Sequence, residues 1–532
     1  MTTLLSNLKV ACILDEFSYE CFRHECMLIK IGPSNWKKIL AKEKPDLLLV
    51  ESAWRGNDGA WKLKLGSYKN NDRKDIKELV NWCKNHKIPT VFWNKEDPVH
   101  FDFYFETAKL FDYVYTTDKN MIKKYKNKLG HQNVFVLPFA AQPKIHNPLK
   151  ISKSKEKNIC FAGTYYGDHH PERKVDMDIL LSVSAKYGLE IFDRNYNLKS
   201  NFRFPHEYQK FIKGHMPYNK LVNACKEYKV NLNVNSVKDS PTMCSRRVFE
   251  LLASGVTVIS NQATAIEQTF QGIVPTFNND SSLDKILKKA IHDENWRLKN
   301  ELKGIRLVYG KHTYAHRLYQ IATNCRINCK PSYNPNLQII GYANNQQEVE
   351  KIIKTYKQQE YKNKALTIFT SFNKSILSKN KIDDVDIIYS NKLDSIPILM
   401  KLIQGSDYFS LFNPSHYYGH HFLTDLVTAS VYTDARIIGK GSFYMITDPG
   451  LYLVKGTETY SFGRNILNDA CIIHRSVLEG GKNIKLLHFI ENKVMSSPFR
   501  KVSKFSIDPF NFLYDYNKLE AERTELIEQI KG

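Results

Sequence analysis

Residues 233–255, NVNSVKDSPTMCSRRVFELLASG, contain the pattern that decides the fold. The apolar run that begins at Val230 predicts a buried strand that ends near Asn235, and a polar loop with a proline follows it. A helix is predicted from near Cys244 to Gly255, because glycine is common just past a helix C-terminus. A strand, a loop and a helix in this order are typical of an α/β unit with a parallel sheet.

The same alternation of apolar runs and helical segments continues along the chain. It predicts doubly wound parallel sheets, whose ligands bind at the carboxyl ends of the strands. We predict one such domain at 1–150, a second at 151–330, a third α/β domain at 331–515 and a C-terminal helix at 516–532. That helix either packs on the body of the protein or pairs with a second copy of the chain in a homo-oligomer.

The charge of the chain limits its partners. The 532 residues include 77 Lys and Arg against 55 Asp and Glu, a net charge of +22. Such a balance suits nucleic acid, an anionic membrane surface or an anionic substrate, and it also suits a solvated surface rich in lysine. The basic residues are spread along the chain rather than clustered, which argues against a nucleic-acid partner.

The cysteines and the apolar runs indicate the compartment. The ten cysteines lack the paired spacing of a zinc site and several lie in apolar runs, so we predict buried thiols in a reducing environment. The sequence shows neither a secretory leader pattern nor a run of about 18 apolar residues. We therefore expect a cytoplasmic protein, with peripheral contact at the anionic inner face of the membrane as an open alternative.

The start of the helix predicted near Cys244 suits a diphosphate with a sugar attached. A helix N-terminus carries partial positive charge and free N–H groups, and Arg246 and Arg247 add two guanidinium groups. Glu250, about one turn further along, can accept hydrogen bonds from ribose hydroxyls. The same residues also fit a solvated amphipathic helix with Arg–Glu pairs, and the local sequence leaves both interpretations open.

Several segments of the first 330 residues resemble the CgeB-like (spore-maturation-type) glycosyltransferases. They are ESAWRGN at 51–57, FWNKEDP at 92–98, FAGTYY at 161–166, DRNY at 193–196 and SPTMCSRRVFE at 240–250. The last segment also resembles the donor-binding strand, loop and helix of GT-B glycosyltransferases. The resemblance implies an α/β protein of the GT-B class, with two facing Rossmann-like domains and the active site in the cleft between them.

The resemblance implies that the second domain binds a nucleotide sugar, with uridine as the base. The donor-binding residues that it implies are Gly163, Thr164, Asn235, Ser240, Thr242, Arg246, Arg247 and Glu250. Glycine at position 163 permits close approach of the backbone to a ligand. Glu250 matches the ribose-binding glutamate of related retaining enzymes, but Thr242 stands where those enzymes carry a second glutamate eight positions earlier. Retention or inversion therefore stays open.

The first domain is expected to bind the acceptor. The candidate catalytic residues are Glu51, Glu96, Asp97 and His100. The carboxylates follow predicted strands, at the edge where this architecture places ligands, and one of them or the histidine would be the general base of an inverting reaction. The candidate acceptor contacts are Trp54, Asn57 and Trp93, with Trp61 as a further platform for a sugar ring. Alternatively, the carboxylates bind loop N–H groups and the tryptophans lie in the core.

The departing nucleoside diphosphate needs positive charge, which either a metal ion or arginines at a helix N-terminus can supply. Because the sequence offers the arginines, we predict a reaction without a metal ion or another cofactor.

The third domain resembles GT-A, family 2-like glycosyltransferases at 337–345, 356–361, 365–369 and 407–423. Asn413, Pro414 and Ser415 replace the acidic metal motif of that family, and amides and hydroxyls bind Mg²⁺ or Mn²⁺ weakly without carboxylates. We predict that this domain is not catalytic and serves acceptor binding or assembly. The nearby histidines leave metal binding as a minor alternative; they are His416, His420 and His421.

The combined features predict a glycosyltransferase that moves a hexose or an N-acetylhexosamine from a nucleotide sugar. The acceptor classes left open are a cell-surface glycan, an anionic teichoic-acid-like polymer and a protein. The alternative is a scaffold that binds a glycan or a nucleotide without catalysis.

Overall fold

The computed structural model describes residues 3–69, 73–150, 157–169, 171–198, 202–331, 333–370, 385–389, 401–447, 450–479, 502–516 and 523–532. The chain divides into two compact units, one formed by 1–148 with 154–332 and the other by 149–153 with 333–532. In these described ranges, no helix has the length and the apolar character that a membrane span requires. Residues 151–156, at the predicted start of the second domain, lie outside the described residues.

The first unit begins with a parallel six-stranded sheet. After a short β1 (Thr3–Leu4), its strands are β2 (Lys9–Ile13), β3 (Met27–Lys30), β4 (Leu47–Glu51), β5 (Thr90–Asn94), β6 (Tyr113–Thr116) and β7 (Val134–Val136), in the spatial order β3-β2-β4-β5-β6-β7. The helices that connect them are α1 (Glu16–Phe22), α2 (Trp36–Glu43), α3 (Lys74–Asn85), α4 (Phe101–Ala108) and α5 (Met121–Leu129). All residues of β4 and β5 are buried, since a hydrophobic cluster covers each face of the sheet.

The second sheet of this unit is also parallel throughout. Its strands are β8 (Lys157–Gly163), β9 (Leu189–Asp193), β10 (Ile212–Gly214), β11 (Tyr228–Asn233), β12 (Thr257–Asn261) and β13 (Thr276–Phe277), in the order β10-β9-β8-β11-β12-β13. Its helices are α6 (Pro171–Ser184), α7 (Tyr218–Ala224), α8 (Arg246–Ala253), α9 (Thr264–Phe270), α10 (Asp280–His292) and α11 (Glu294–Lys311). The strand order reverses between β8 and β11, and in doubly wound sheets ligands bind at that point.

The chain then returns to the first sheet. Helix α12 (Tyr314–Asn324) buries Tyr314, Leu318 and Ile321 in the same cluster as Val10 and Trp93, and β14 (Cys329–Lys330) pairs in parallel with β1. The boundary predicted near residue 330 assigns this helix to the second domain, but its apolar face packs on the first.

The second unit contains two further sheets. Its strands are β15 (Leu337–Ala343), β16 (Lys364–Thr370), β17 (Val385–Tyr389), β18 (Tyr408–Phe412), β19 (Tyr417–Tyr418), β20 (Ile437–Gly439), β21 (Phe443–Thr447), β22 (Gly450–Val454), β23 (Ser461–Phe462), β24 (Cys471–His474), β25 (Lys504–Ser506) and β26 (Phe512–Tyr514). The larger sheet is mixed, in the order β17-β16-β15-β18-β24-β20-β25-β23, and the smaller one has the order β19-β26-β21-β22. The helices are α13 (Gln346–Gln358), α14 (Phe422–Tyr432), α15 (Ser476–Glu479) and α16 (Arg523–Ile530).

This architecture confirms the predicted fold class of two Rossmann-like parallel sheets followed by a further sheet domain. The strand and helix predicted within residues 230–255 occur as β11 (Tyr228–Asn233) and α8 (Arg246–Ala253), and of the helix predicted at 516–532 the described residues form Arg523–Ile530. The terminal helix packs on its own unit, because Ile530 is fully buried against Ile446 and Leu513. All ten cysteines are buried and free, as the apolar surroundings in the sequence indicate.

Candidate active site

The candidate donor site lies where β8 and β11 end side by side. Gly163 is the last residue of β8, and the loop after β11 leads into α8, whose second residue is Arg247. A Cβ atom at position 163 would lie 3.7 Å from Nη2 of Arg247, so the guanidinium group lies against the end of the strand. The parallel pairing of the two strands therefore brings a glycine and an arginine together from positions far apart in the sequence.

Two cavities meet at this point. The larger, of about 520 Å³, lies in the cleft, lined by Glu96 and His100 of the first domain and by residues of the second. The smaller, of about 260 Å³, lies within the second domain and is lined by Glu250 among others. Gly163 and Arg247 line both cavities. A ligand that occupies both cavities would therefore pass directly along the guanidinium group of Arg247.

Arg247 forms no salt bridge within the described part of the chain. Burial lowers the pKa of its guanidinium group, and the neighbouring Arg246 lowers it further. Arg173, in the first turn of α6, also lines the larger cavity, and its pKa is lowered by burial and by Arg247. Two cations that repel each other beside one cavity form a site for an anion such as a diphosphate.

Glu250 supplies a hydrogen-bond acceptor in the smaller cavity. The residue is 7% exposed, and its Oε1 atom is buried with no hydrogen-bond partner among the described residues. The nearest cationic group is Arg246, whose Nε lies 3.5 Å from that oxygen. An unsatisfied buried carboxylate oxygen is costly, and ligand hydroxyl groups would satisfy it.

The two neighbouring arginines have different surroundings. Arg246 stacks over the ring of Phe17 in the first domain, 3.4 Å from its centroid, and it also faces Tyr218. The Glu250 carboxylate raises the pKa of Arg246 against the effect of burial. Arg246 is thus already paired, whereas Arg247 is available to a ligand.

Ser240 and Thr242, which the resemblance assigns to donor binding, instead join the two domains. The Ser240 hydroxyl donates to Asp118 Oδ1 at 2.5 Å, and the Thr242 hydroxyl donates to the carbonyl oxygen of Thr117 at 2.8 Å. Neither lines a cavity described above. Their expected donor contacts are therefore corrected to contacts between domains.

The other residues implied in donor binding line the larger cavity. Thr164 and Asn235 are both buried there. The Oδ1 atom of Asn235 accepts from the N–H of Ser245, just before α8 begins, and so fixes the loop against the end of β11.

The first-domain carboxylates separate into two groups. Glu96 and His100 line the larger cavity, as expected of residues near an acceptor. Glu51 and Asp97 are fully buried, and neither lines that cavity. Asp97 accepts from Asn94 at 2.8 Å, and burial raises the pKa of its carboxyl group to about 7. The expectation that Glu51 and Asp97 act directly on the acceptor is corrected, because both side chains are sealed inside the domain.

Glu51 nevertheless contributes to the cleft through Lys95. Its Oε1 atom accepts from the Lys95 ammonium group at 2.9 Å and from the N–H of Asp15 at 2.6 Å. Burial raises the pKa of the Glu51 carboxyl group, while Lys95 lowers it. Lys95 lines the larger cavity, so this pair places a cation at the first-domain side of that cavity.

Of the four residues expected to contact the acceptor, Trp54 alone is exposed, at 39%. Its ring stacks on Phe103, with centroids 5.6 Å apart, and packs edge to face with His100. The other three are buried in the core of the first domain; they are Asn57, Trp61 and Trp93.

The side chains of these three buried residues donate hydrogen bonds to backbone carbonyl groups. Trp93 donates to the carbonyl oxygen of Leu137, Trp61 donates to that of Ile31, and the Asn57 amide donates to those of Cys12 and Ile31. Their predicted acceptor role is corrected, since their polar groups tie loops to the sheet and no ring faces the cleft.

The sequence interpretation missed Lys95, Arg173, His146 and Tyr218, all of which line the two cavities. Lys95 was recognisable as a basic residue that directly follows a predicted strand, whereas Arg173 lies in α6 and carries no such signal. His146 and Tyr218 are 72 positions apart and carry no local motif.

In the second unit, the segment predicted to replace an acidic metal motif forms hydrogen bonds with a carboxylate from a later part of the chain. Asp469 Oδ2 accepts from Asn413 at 3.3 Å and lies 2.7 Å from Nε2 of His416. His421 instead lies 3.1 Å from Glu360. Over the described residues, no group of three or more His, Cys, Asp or Glu is arranged to hold a metal ion.

The sequence of this chain is similar to that of known glycosyltransferase-like proteins. Residues 180–323 match a family model described as Glycosyl transferase-like, and this range includes Arg247 and Glu250. Over 184 residues the chain is 21% identical to spore protein CgeB of Bacillus subtilis, covering 33% of this chain and 57% of CgeB. The chain thus spans little more than half the length of this relative. These matches confirm the resemblance to CgeB-like glycosyltransferases.

Two solved structures are similar in fold. One is a glycosyltransferase from Rickettsia africae, at 12% identity and a TM-score of 0.38, covering 60% of this chain and 98% of that one. The other is S. aureus TarM in complex with UDP and other ligands, at 12% identity and a TM-score of 0.33, covering 57% of this chain and 55% of that one.

The Glu51–Lys95 pair predicts a coupled stability effect. Lys95→Met should lower the free energy of unfolding by about 3 kcal/mol, because it leaves a buried carboxylate without its cation. The double variant Glu51→Gln with Lys95→Met should lose less than the sum of the two single changes, measured by urea unfolding. Additive losses would show that the two side chains are not coupled.

Acid should destabilise this unit through His146 and His312. Burial lowers the pKa of His146 to about 4 and that of His312 to about 3. For His146, Glu250 opposes this shift, and Arg246 and Lys226 add to it. The unfolded chain binds these protons near pH 6.5, so stability falls as the pH falls from about 6.5 toward 4, by up to about 1.4 kcal/mol per pH unit and histidine.

Melting temperatures at pH 7, 6 and 5 test this effect. His146→Gln, which cannot titrate, should show a shallower fall than the wild type. Equal slopes would mean that His146 titrates normally in the folded protein.

Proposed function

We propose that this chain is a glycosyltransferase that moves a hexose or an N-acetylhexosamine from a nucleotide-diphosphate sugar, UDP-linked by the resemblance to its family, in the cleft of the first unit. The observation that carries the proposal is the unpaired Arg247 between two cavities, with the unsatisfied Glu250 carboxylate in the smaller one. In this arrangement the nucleoside occupies the smaller cavity, the diphosphate lies along Arg247 and the sugar projects into the cleft.

The charges of the site support this placement. Arg247, Arg173 and the N-terminus of α8 face the position of the diphosphate and stabilise the negative charge that develops as it leaves. Because these groups supply the charge that a metal ion would otherwise supply, we propose a metal-independent reaction. Glu250 accepts hydrogen bonds from the ribose.

The reaction then proceeds at the first-domain side of the cleft. The hydroxyl oxygen of the acceptor bonds to the anomeric carbon, and the bond from that carbon to the diphosphate oxygen breaks. The nucleoside diphosphate leaves with the bonding electron pair. In an inverting reaction, the acceptor proton passes to Glu96 or His100, which both line the larger cavity. Trp54, beside His100, offers a face to an acceptor sugar.

The acceptor classes that we propose are a cell-surface glycan, an anionic teichoic-acid-like polymer or a protein. The net charge of +22 favours an anionic polymer or one presented at an anionic membrane face. On this proposal the enzyme works in the cytoplasm. The sheet domain at 333–532 serves acceptor binding or assembly.

A thermal-shift panel with UDP, GDP, CDP and dTDP, each with and without EDTA, tests the donor assignment. A ligand that binds the folded state raises the melting temperature according to its concentration and Kd. We expect UDP to give the largest shift, with no effect of EDTA. A shift abolished by EDTA would contradict metal independence. The absence of any shift would contradict the donor site, and binding without transfer or hydrolysis of the UDP-sugar would favour the scaffold alternative.

Single substitutions test the two residues that carry the proposal. Arg247→Ala and Glu250→Ala should each weaken UDP binding by about tenfold or more, because each removes a charged hydrogen-bond partner of the ligand. Isothermal titration calorimetry measures the Kd values. Lys42→Ala is the matched control, since this lysine is 82% exposed on the first domain. Unchanged affinity in both site variants would overturn the assignment.

A further inference from the structure

One basic surface of the first domain has no part in the reaction described above. Basic residues are spread along the chain as a whole, but five of the ten residues at 119–128 are lysines and none of the ten is acidic. These residues form α5 and the turn before it. Four of the lysine side chains are exposed and the fifth is half-buried. We call this surface the lysine face; its members are Lys119, Lys123, Lys124, Lys126 and Lys128.

The lysine face has few acidic neighbours. Across the described residues, none of its five ammonium groups forms a salt bridge. The neighbouring helix α4 carries Asp102 and Glu106, and Glu106 already pairs with Lys109 at 3.3 Å. By contrast, the lysine-rich helix α2 ends in Glu43, which lies 3.8 Å from Lys42. The lysine face thus keeps its charge available to an external anion.

Aromatic rings of α4 hold two of these lysines in place. The Nζ atom of Lys124 lies 3.8 Å from the ring centroid of Phe101, and that of Lys128 lies 5.0 Å from the ring centroid of Phe105. Both rings are buried, and Tyr125 of α5 packs edge to face on Phe101. The attraction between a cation and the face of a ring therefore fixes the two ammonium groups where α4 and α5 meet.

The lysine face begins at the cleft. Helix α4 follows His100 directly, and His100 lines the larger cavity. At the start of the lysine face, the backbone N–H of Lys119 donates to the Thr242 hydroxyl at 2.9 Å, in the loop that leads into α8. Since α5 has nine residues and is about 13 Å long, the lysines extend from the edge of the cleft along the side of the first domain.

We propose that the lysine face binds an acceptor that is an anionic polymer, with a negative charge such as a phosphodiester on each repeat, and leads it into the cleft. This inference rests on the proposed function, and it selects one of the three acceptor classes left open there. A series of unpaired cations suits a series of anions, which release their counterions on binding. A neutral glycan would gain nothing from these charges.

A membrane surface fits the lysine face less well than a polymer does. Over residues 101–130, all of which the structure describes, no large apolar side chain is exposed. Helices that lie in a membrane interface bury apolar side chains in the lipid, in addition to presenting lysines to its head groups. The lysine face offers the charges without such an anchor.

The test measures the binding of long-chain inorganic polyphosphate, labelled at one end, by fluorescence anisotropy. The triple variant Lys123→Gln, Lys124→Gln, Lys128→Gln removes three charges and keeps residues that favour a helix. Its affinity should fall about tenfold or more at about 50 mM salt. The slope of log K against log salt should become shallower by about 2, because each lost phosphate contact removes about 0.7 to 0.9. Its melting temperature and its affinity for UDP should match the wild type.

A second triple variant, Lys37→Gln, Lys38→Gln, Lys42→Gln, is the matched control. It removes the same charge from exposed positions of α2 in the same domain. Its affinity for polyphosphate should change by less than about twofold, since α2 lies outside the lysine face. Equal losses in the two triple variants would show attraction to the net charge alone and would overturn the inference.

Arg247→Ala separates the lysine face from the donor site. It should leave polyphosphate binding unchanged; a loss there, with binding intact in the Lys123, Lys124 and Lys128 variant, would mean that the probe occupies the donor site. Vesicles of phosphatidylglycerol that bind more tightly than polyphosphate, with the same loss in that variant, would replace the polymer by a membrane surface. Either result would overturn the inference.

A fluorophore at position 99 tests whether the polymer reaches the cleft. Val99 is 62% exposed and lines the larger cavity, and all ten native cysteines are buried, so Val99→Cys can be labelled selectively. Polyphosphate should change the emission of the label, and the lysine substitutions should abolish the change. Binding without any change would place the polymer elsewhere and overturn this inference, whereas the proposed function fails separately, in the UDP panel described above.

Discussion

The parallel pairing of β8 with β11 brings together the two segments that carry Gly163 and Arg247 in the candidate donor site. Ile159 pairs with Val230 and Cys160 with Asn231, so the two strands end at the same edge of the sheet. One strand then delivers Gly163 and the other delivers the loop that leads into α8. The strand order reverses between β8 and β11, so the connections that follow the two strands leave in opposite directions and a crevice opens between them. Ligands of doubly wound sheets bind in that crevice.

The electrostatics of this edge follow from which cations have partners. Arg246 has a carboxylate and an aromatic ring, so its charge is balanced within the protein. Burial lowers the pKa of both Arg247 and Arg173, and Arg247 lowers that of Arg173 further, so the two cations favour an anionic ligand beside them. Adjacent residues of the same type thus perform different tasks. The difference comes from the helix, which turns successive side chains in different directions.

The fold could be predicted from the sequence because the central strands of the first two sheets are short apolar runs that are buried on both faces. β4 and β5 are completely buried, and their runs of Leu, Val, Phe and Trp are visible without a structure. Arg247 and Glu250 could also be proposed from their residue types and spacing, with a solvated amphipathic helix as the alternative, whereas Gly163 was implied by the resemblance. Their role in donor binding stays a prediction.

The predictions that depended on the direction of a side chain were less reliable. Trp93 and Asn57 lie in segments that the sequence places near the cleft. The alternation of side chains along the strand turns Trp93 into the core, and the amide of Asn57 donates a hydrogen bond to a backbone carbonyl group. Ser240 faces Asp118, which is 122 positions away. No local pattern specifies such a partner. The same limit explains why the link between His146 and Tyr218 could be found only in the structure.

The loop and helix that carry Arg247 are held by the first domain through several contacts. Ser240 binds Asp118 and Thr242 binds the carbonyl oxygen of Thr117 before the helix, and Arg246 stacks on Phe17 at its first turn. Arg247 follows Arg246 directly and lines both cavities. Since the first domain also supplies Glu96 and His100 to the larger cavity, both sides of the candidate site depend on the same contacts between domains. A change that separates the domains would therefore displace Arg247 and the candidate bases together, so the interface between the domains determines the geometry of the candidate site.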